Sequence, residues 1–177
     1  MTTLEDRARA VRLVVLDVDG VLSDGRINIS SNGELFKSFF VRDGLGIKML
    51  QKAGIEVAIL TGRTSAIVAE RAKELGITHV LQGQRFKKPA YEGLLAQLNL
   101  TDREVAYMGD DVPDLPLLMR AGLPATPADG IADLDGIVAW RAPHAGGAGA
   151  VRDLAELILR SRGLWDDLVR AAYVEGR

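Results

Sequence analysis

The sequence predicts an α/β protein built on a doubly wound, mainly parallel sheet with a projecting β-hairpin, and three observations carry that prediction. Short apolar runs rich in Val, Ile and Leu alternate along the chain with segments of helical periodicity. The runs are continuous rather than alternating, the pattern of strands covered on both faces. Several end abruptly in Asp, Thr or Gly, at the strand ends where open parallel sheets carry their ligand-binding loops.

In chain order, Val11 to Leu16 is the first buried strand and stops at carboxylates. Two extended runs follow, Ile27 to Ser30 and Leu35 to Val41, around Ser31-Asn32-Gly33. Asn-Gly is a strong hairpin signal, so Gly25 to Val41 reads as a projecting hairpin. Gly44 to Ala53 carries Leu45, Met49 and Leu50 at helical spacing before Gly54, and Ile55 to Leu60 is a second buried strand. Thr64 to Leu75 reads as a helix closed by Gly76, His79 to Leu81 as a short strand, Pro89 to Leu98 as a helix and Val105 to Met108 as a strand. Leu115 to Ala121 reads as a helix, Leu123 to Ala125 and Ile137 to Ala139 as weak strands, and Ala150 to Leu159 as the last helix. Strands alternating with helices imply right-handed crossovers around one sheet.

Composition limits the function classes. The chain has 177 residues, 47% hydrophobic and 26% charged, enough for one core. One domain over 1–177 is expected, with the core at about 11–162 and a tail at 163–177 that carries Trp165 and Tyr173. A net charge of −2 gives no global pull toward nucleic acid or an anionic membrane. Without cysteine there is no disulfide, thiolate metal site or thiol nucleophile. Met1 to Ala10 lacks the apolar core of an export signal, and no run approaches the roughly 18 apolar residues of a membrane span. A cytoplasmic location is the expectation.

Four strand ends carry the residues that matter. Asp17 and Asp19 follow the first strand; period-two alternation sends both to one side, where their repulsion calls for a hard cation or a proton. Gly109-Asp110-Asp111, with Asp114 three residues on, adds oxygen ligands of the kind magnesium takes. Asp114 reads equally as a helix cap or a brace. Thr61-Gly62-Arg63 offers a hydroxyl, free backbone and a guanidinium for a phosphoryl oxygen, and Lys87-Lys88 puts positive charge at a helix opening. Each alone reads as a cap or a solvated charge. Together, carboxylates this dense at buried strand ends cost stability unless cations offset them. His79 and His144 read as structural, and the Gly146 to Ala150 run is a poor dinucleotide fingerprint, read instead as a flexible closure.

Asp17-Val18-Asp19-Gly20-Val21-Leu22, Thr61, Lys87 and Gly109-Asp110-Asp111 with Asp114 resemble the four motifs of the haloacid dehalogenase superfamily, in its capless subclass. Ser38 to Lys48, Leu60 to Arg63, Gly76 to His79, Gln82 to Gln84 and Gly146 to Arg152 resemble, more narrowly, the 3-deoxy-D-manno-octulosonate 8-phosphate phosphatases, whose relatives act on nine-carbon keto-sugar acid phosphates. The resemblance implies a Mg²⁺-dependent phosphatase supplying the free sugar acid for lipopolysaccharide synthesis. Asp17 would be nucleophile and Asp19 acid then base. The metal would take Asp17, the carbonyl of Asp19 and Asp110, with Asp111 and Asp114 behind them, and Asp111 would orient Lys87 or a metal-bound water. Thr61 and Lys87 would hold phosphoryl oxygens, Lys87 being preferred to Lys88 by motif register. Asp19, Phe40, Val41, Arg42, Asp43, Gly44, Lys48, Gly62, Arg63, Arg71 and Lys87 would bind a small phosphorylated sugar acid. Phe40 and Ala148 depart from the usual polar and charged residues at their positions.

Rival readings are a phospho-accepting receiver module, whose acceptor Asp belongs to a middle strand, and an idle assembly subunit. No cap domain fits between Asp19 and Thr61 or between Thr61 and Lys87. The hairpin carries Ile27, Ile29, Leu35, Phe36, Phe39 and Phe40, more apolar surface than a lone hairpin keeps in water. A homo-oligomer is expected, a tetramer by the resemblance, with hairpins completing neighbouring sites and Arg42 and Arg71 serving across the interface.

Overall fold

A computed structural model describes residues 2–176; Met1 and Arg177, the ends of the expected 1–177 span, lie outside the described residues. The chain begins with α1 (Leu4–Ala10), a helix that apolar periodicity does not announce. Its signal is a capping box: Asp6 N–H donates to Thr3 Oγ1 at 3.1 Å and Thr3 N–H to Asp6 Oδ2 at 3.2 Å. Val11 caps this helix, so the first strand, β1, is confined to Leu13–Leu16.

The hairpin forms as β2 (Asn28–Ser30) and β3 (Gly33–Phe36), an antiparallel pair. Its second strand stops at Phe36 rather than reaching Val41, because Phe39 turns inward onto the core. The next helix, α2, spans Val41–Lys52, three residues earlier at its start than periodicity predicts. Asp43 draws the first turn in: buried, it accepts the Arg152 N–H at 2.8 Å from the start of a distant helix. Then come β4 (Glu56–Leu60), α3 (Ala66–Leu75) capped by Ser65 and Gly76, and β5 (His79–Leu81). Helix α4 (Lys87–Leu98) opens at Lys87, before Pro89, which as a third helical residue gives up no intrahelical bond. β6 is Val105–Met108 as expected. A 3₁₀ turn, Val112–Asp114, leads into a short α5 (Leu115–Leu118), and β7 is Leu123–Thr126.

The predicted strand at Ile137 to Ala139 is absent. Ile137 and Val138 donate to the Leu134 carbonyl in a turn and pack beside Leu134. The edge strand is instead β8 (Trp140–Arg141), pinned where Arg141 donates to the carbonyls of Pro127, at 3.0 Å, and Gly130, at 2.9 Å. Helix α6 (Ala150–Ser161) runs two residues past the predicted end. The tail then folds into α7 (Trp165–Val169) and a π-turn, Arg170–Val174. Trp165 is buried between the guanidinium groups of Arg152 and Arg160, 4.7 and 4.8 Å from its ring centre.

The main sheet is parallel in the order β5-β4-β1-β6-β7-β8. Period-two alternation sorts its side chains into two cores. Val14, Leu16, Val57, Ile59, Ala106 and Met108 face α2, α3 and α6, whereas Leu13, Val15, Ala58, Leu60, Val105 and Tyr107 face α4 and α5. The strand order reverses between β1 and β6. That switch point leaves a crevice beyond their carboxyl ends, and Asp17 and Gly109-Asp110 stand there. Among the described residues no helix is long and apolar enough to cross a membrane.

Candidate active site

The crevice is a cleft of about 520 Å³ whose lining includes Asp17, Asp19, Thr61, Gly62, Arg63, Lys87, Asp110, Asp111 and Asp114. Four separated sequence segments therefore meet at one point. The parallel register explains it: β1 lies between β4 and β6, so Asp17, Thr61 and Gly109 follow strands ending at one level.

Lys87 is the buried centre of the arrangement. Its Nζ lies 2.9 Å from Asp17 Oδ2 and 2.6 Å from Asp114 Oδ1. Burial alone would lower the pKa of this amine, but the charges of Asp17 and Asp114 outweigh it and hold Lys87 above the ordinary lysine value. Lys88 is exposed, 4.0 Å from Glu92 one turn along, so of the two lysines Lys87 is the one in the cleft. Asp114 is saturated. Its Oδ1 also accepts the Tyr107 hydroxyl at 2.5 Å, and its Oδ2 accepts the Asp110 N–H at 3.0 Å. Asp114 is thus the brace on Lys87, whereas the Asp111 carboxylate, expected to orient Lys87 or a water, accepts the Val112 N–H at 2.7 Å as a cap.

Asp17 and Asp110 are the acids of this cluster that their surroundings hold above the ordinary carboxylate range. Burial, with Asp114 nearby and Lys87 opposing, pushes Asp17 up to about 6. Burial and the neighbouring charges of Asp114, Asp17 and Asp111 raise Asp110 to about 7. Oδ1 of Asp17 is buried without a hydrogen-bond partner. Asp17, Asp110 and Asp114 each offer an oxygen, and these oxygens lie within 4.8 Å of one another. Gly20 makes room for the cluster: at φ +85° it turns the chain under Asp110, and a Cβ there would stand 2.0 Å from Asp110 Oδ2. An all-oxygen donor set with an orphaned carboxylate oxygen and unmet negative charge fits a hard divalent cation. With Asp114 committed to Lys87, the carboxylates left for it are Asp17 and Asp110.

Asp19 lies on the cleft wall. Its Oδ1 is 2.5 Å from Lys37 Nζ, and its Oδ2 is 3.6 Å from Nε of the exposed Arg63. Lys37, which sequence patterning did not single out, also meets Glu34 Oε1 at 3.2 Å. Desolvation opposes its charge, but the hydrogen bonds to Asp19 and Glu34 prevail and raise its pKa. Gln84, the end of the Gln82 to Gln84 run, and Arg85, which nothing in the sequence singled out, also line the cleft; they follow the edge strand in a loop with no periodicity to read.

The remaining expected substrate residues are not brought to the cleft by this chain. Phe40 and Arg42 line a second cavity of about 330 Å³ with His144, Ala148 and Arg152. Val41 is exposed, Asp43 is buried against α6, Arg71 pairs with Glu74 at 2.7 Å beside Gly44, and Lys48 lies near Gly76 and the tail. The glycine-rich run is no flap. Gly147 N–H donates to the Val21 carbonyl at 2.9 Å, and a Cβ on Gly146 would stand 1.8 Å from the Gly20 carbonyl oxygen. Gly146 and Gly147 buttress the loop after Asp19, where a Cβ on either would collide with its backbone.

The family model of haloacid dehalogenase-like hydrolases matches residues 34–122. The 3-deoxy-D-manno-octulosonate 8-phosphate phosphatase KdsC of Escherichia coli K12 is 45% identical over 165 residues, which cover 91% of this chain and 86% of that protein. The crystal structure of the Yersinia pestis enzyme of that name superposes with a TM-score of 0.90 at 43% identity, covering 92% of this chain and 88% of the other. The Moraxella catarrhalis enzyme, crystallised with a magnesium ion, a phosphate ion and KDO, gives 0.92 at 41% identity over 95% and 97%. The chain belongs to the haloacid dehalogenase-like hydrolases, within the family of 3-deoxy-D-manno-octulosonate 8-phosphate phosphatases.

Proposed function

We propose that this chain is a magnesium-dependent phosphomonoesterase that releases phosphate from 3-deoxy-D-manno-octulosonate 8-phosphate, giving the free sugar acid for lipopolysaccharide synthesis in the cytoplasm. The observation that carries the reading is the pairing of a buried, partly unpartnered Asp17 with Lys87 at 2.9 Å, facing an open cleft. An ionised carboxylate held beside a fixed ammonium can attack phosphorus while the ammonium neutralises a phosphoryl oxygen.

In this reading Asp17 displaces the sugar alkoxide in line, forming an aspartyl-phosphate, and Asp19 gives the leaving oxygen its proton. Asp19 then takes a proton from the water that attacks the phosphorus of the intermediate, and Asp17 leaves as a carboxylate. Lys87 and Thr61 hold the phosphoryl oxygens, Asp114 keeps Lys87 in place, and Gly62 leaves backbone free to approach them. Asp17, the main-chain carbonyl of Asp19 and Asp110 would hold magnesium, which would supply charge neutralisation for the phosphoryl group.

The sugar carboxylate needs cations as well. Arg63 stands on the cleft rim. Arg42 and Arg71 contribute from a neighbouring protomer of a homotetramer, each protomer being one catalytic domain. Supporting this are their positions away from the cleft and the exposed apolar hairpin, where Ile29 is 69% and Leu35 61% accessible. The test is phosphate release from a panel of phosphorylated eight- and nine-carbon sugar acids and neutral sugars, with Mg²⁺ and with EDTA, alongside mass in solution. Turnover indifferent to EDTA or to the sugar carboxylate, or a fully active monomer, contradicts the respective part.

A further inference from the structure

From the site just described, and resting on the reading of Asp19 as proton donor, we infer that Lys37 is a positioning residue that fixes the Asp19 carboxylate for proton transfer, with the β-hairpin as its mount. Lys37 follows β3, its side chain is 1% exposed, and its Nζ reaches Asp19 Oδ1 at 2.5 Å across 18 residues of sequence. A buried lysine is retained where its charge is paired. Here the pair is one of the two carboxylates of the first motif and a hairpin carboxylate, Glu34, at 3.2 Å. Glu34 does not float either, for its other oxygen accepts the Ser65 hydroxyl, and that oxygen of Ser65 caps the Val68 N–H of α3.

The chain of contacts runs from the cap of α3 through Glu34 and Lys37 to Asp19. It fixes which carboxylate oxygen does what. Oδ1 is committed to the ammonium, and Oδ2, 3.6 Å from exposed Arg63, is the one left for a leaving oxygen. A free aspartate side chain samples several rotamers, so locking one brings the donor oxygen to a single place before substrate arrives. The hairpin therefore does more than cover the site: it carries part of the site's support.

The test compares single-turnover phosphoryl transfer in the parent, Lys37→Met, Glu34→Gln and Asp19→Asn across three esters of falling need for a proton on the leaving group: the sugar-acid phosphate, phenyl phosphate and p-nitrophenyl phosphate. Positioned proton transfer contributes about 10²–10⁴-fold where the leaving group needs it. Lys37→Met is expected to lose roughly 100-fold with the sugar-acid phosphate, less with phenyl phosphate and under about threefold with p-nitrophenyl phosphate. Glu34→Gln keeps the lysine and should show the same ordering with smaller amplitude; if Lys37→Met does not fold, it decides alone. Equal losses on all three esters in the variants, while Asp19→Asn keeps the gradient, overturn the role of Lys37 only. A flat response in Asp19→Asn removes the proton donor itself, and the inference with it.

Discussion

Replacing Lys87 by Met tests the electrostatic design of the site. Methionine keeps the length of the stem and removes the charge between Asp17 and Asp114. The two acids are not equally exposed to the loss, since Asp114 retains the Tyr107 hydroxyl and the Asp110 N–H. Asp17 keeps neither kind of support at Oδ1, which has no partner, so the uncompensated charge falls on it. Removing one member of a buried ion pair costs about 3–5 kcal/mol, out of a total stability on the order of 5–15 kcal/mol. At roughly 2–4 °C per kcal/mol for a chain of this size, Tm should fall by about 6–20 °C in EDTA at pH 8. Adding Asp17→Asn to Lys87→Met neutralises the stranded carboxylate and should restore most of the loss. Thermal melts of the parent, both single variants and the double variant complete the cycle. Lys87→Met melting within about 2 °C of the parent, or a double variant no more stable than Lys87→Met, refutes the assignment of the penalty to Asp17. Activity should fall as well, by roughly 10²–10³-fold in kcat, the usual loss for one fixed charge-stabilising donor.

Asp17→Asn and Asp19→Asn should each abolish turnover with the fold retained, and Asp17→Asn should not destabilise the metal-free protein, because it removes a charge that burial opposes; melting curves and phosphate release check both. Appreciable turnover by Asp17→Asn, with reversion by deamidation excluded by mass, removes Asp17 as the nucleophile. Without metal, stability should depend on pH. Asp17 and Asp110 are raised to about 6 and about 7, so the folded state binds protons more tightly than the unfolded one. Their stabilising protonation is complete below about pH 4 and lost as pH rises through 6 to 7, so this contribution to unfolding free energy in EDTA declines across that window. Mg²⁺ should flatten the decline, and urea titrations from pH 5 to 8 with and without it report the difference. Gly20→Ala should weaken Mg²⁺ binding, since its Cβ would stand 2.0 Å from Asp110 Oδ2 at a φ of +85°, with about 1–3 kcal/mol of backbone strain besides; calorimetric titration with Mg²⁺ measures it, and unchanged affinity would contradict the cradle.

The residues that local pattern encodes were readable from the sequence. Asp17, Thr61 and Gly109-Asp110 each terminate or directly follow a continuous apolar run, and in a parallel sheet such ends converge by register without further information. The two buried faces followed from the continuity of those runs, and the hairpin from Asn32-Gly33. Tertiary structure alone decided what depends on contacts distant in sequence. Both Lys87 and Lys88 open a helix; motif register favours Lys87, but the pairing that buries it between Asp17 and Asp114 and leaves Lys88 in water comes from the turn of α4 against β6. Asp111 and Asp114 are alike in sequence, and the position of Tyr107 makes one a brace and the other a cap. β8 forms where carbonyls from another loop gather around Arg141, not where the apolar run of Ile137 to Ala139 stands. Lys37 gave no signal, because a charged residue at the end of an exposed hairpin reads as solvated until the chain folds back and Asp19 and Glu34 enclose it. Periodicity reports which side of an element meets the core; it carries no record of which distant charge will be waiting there.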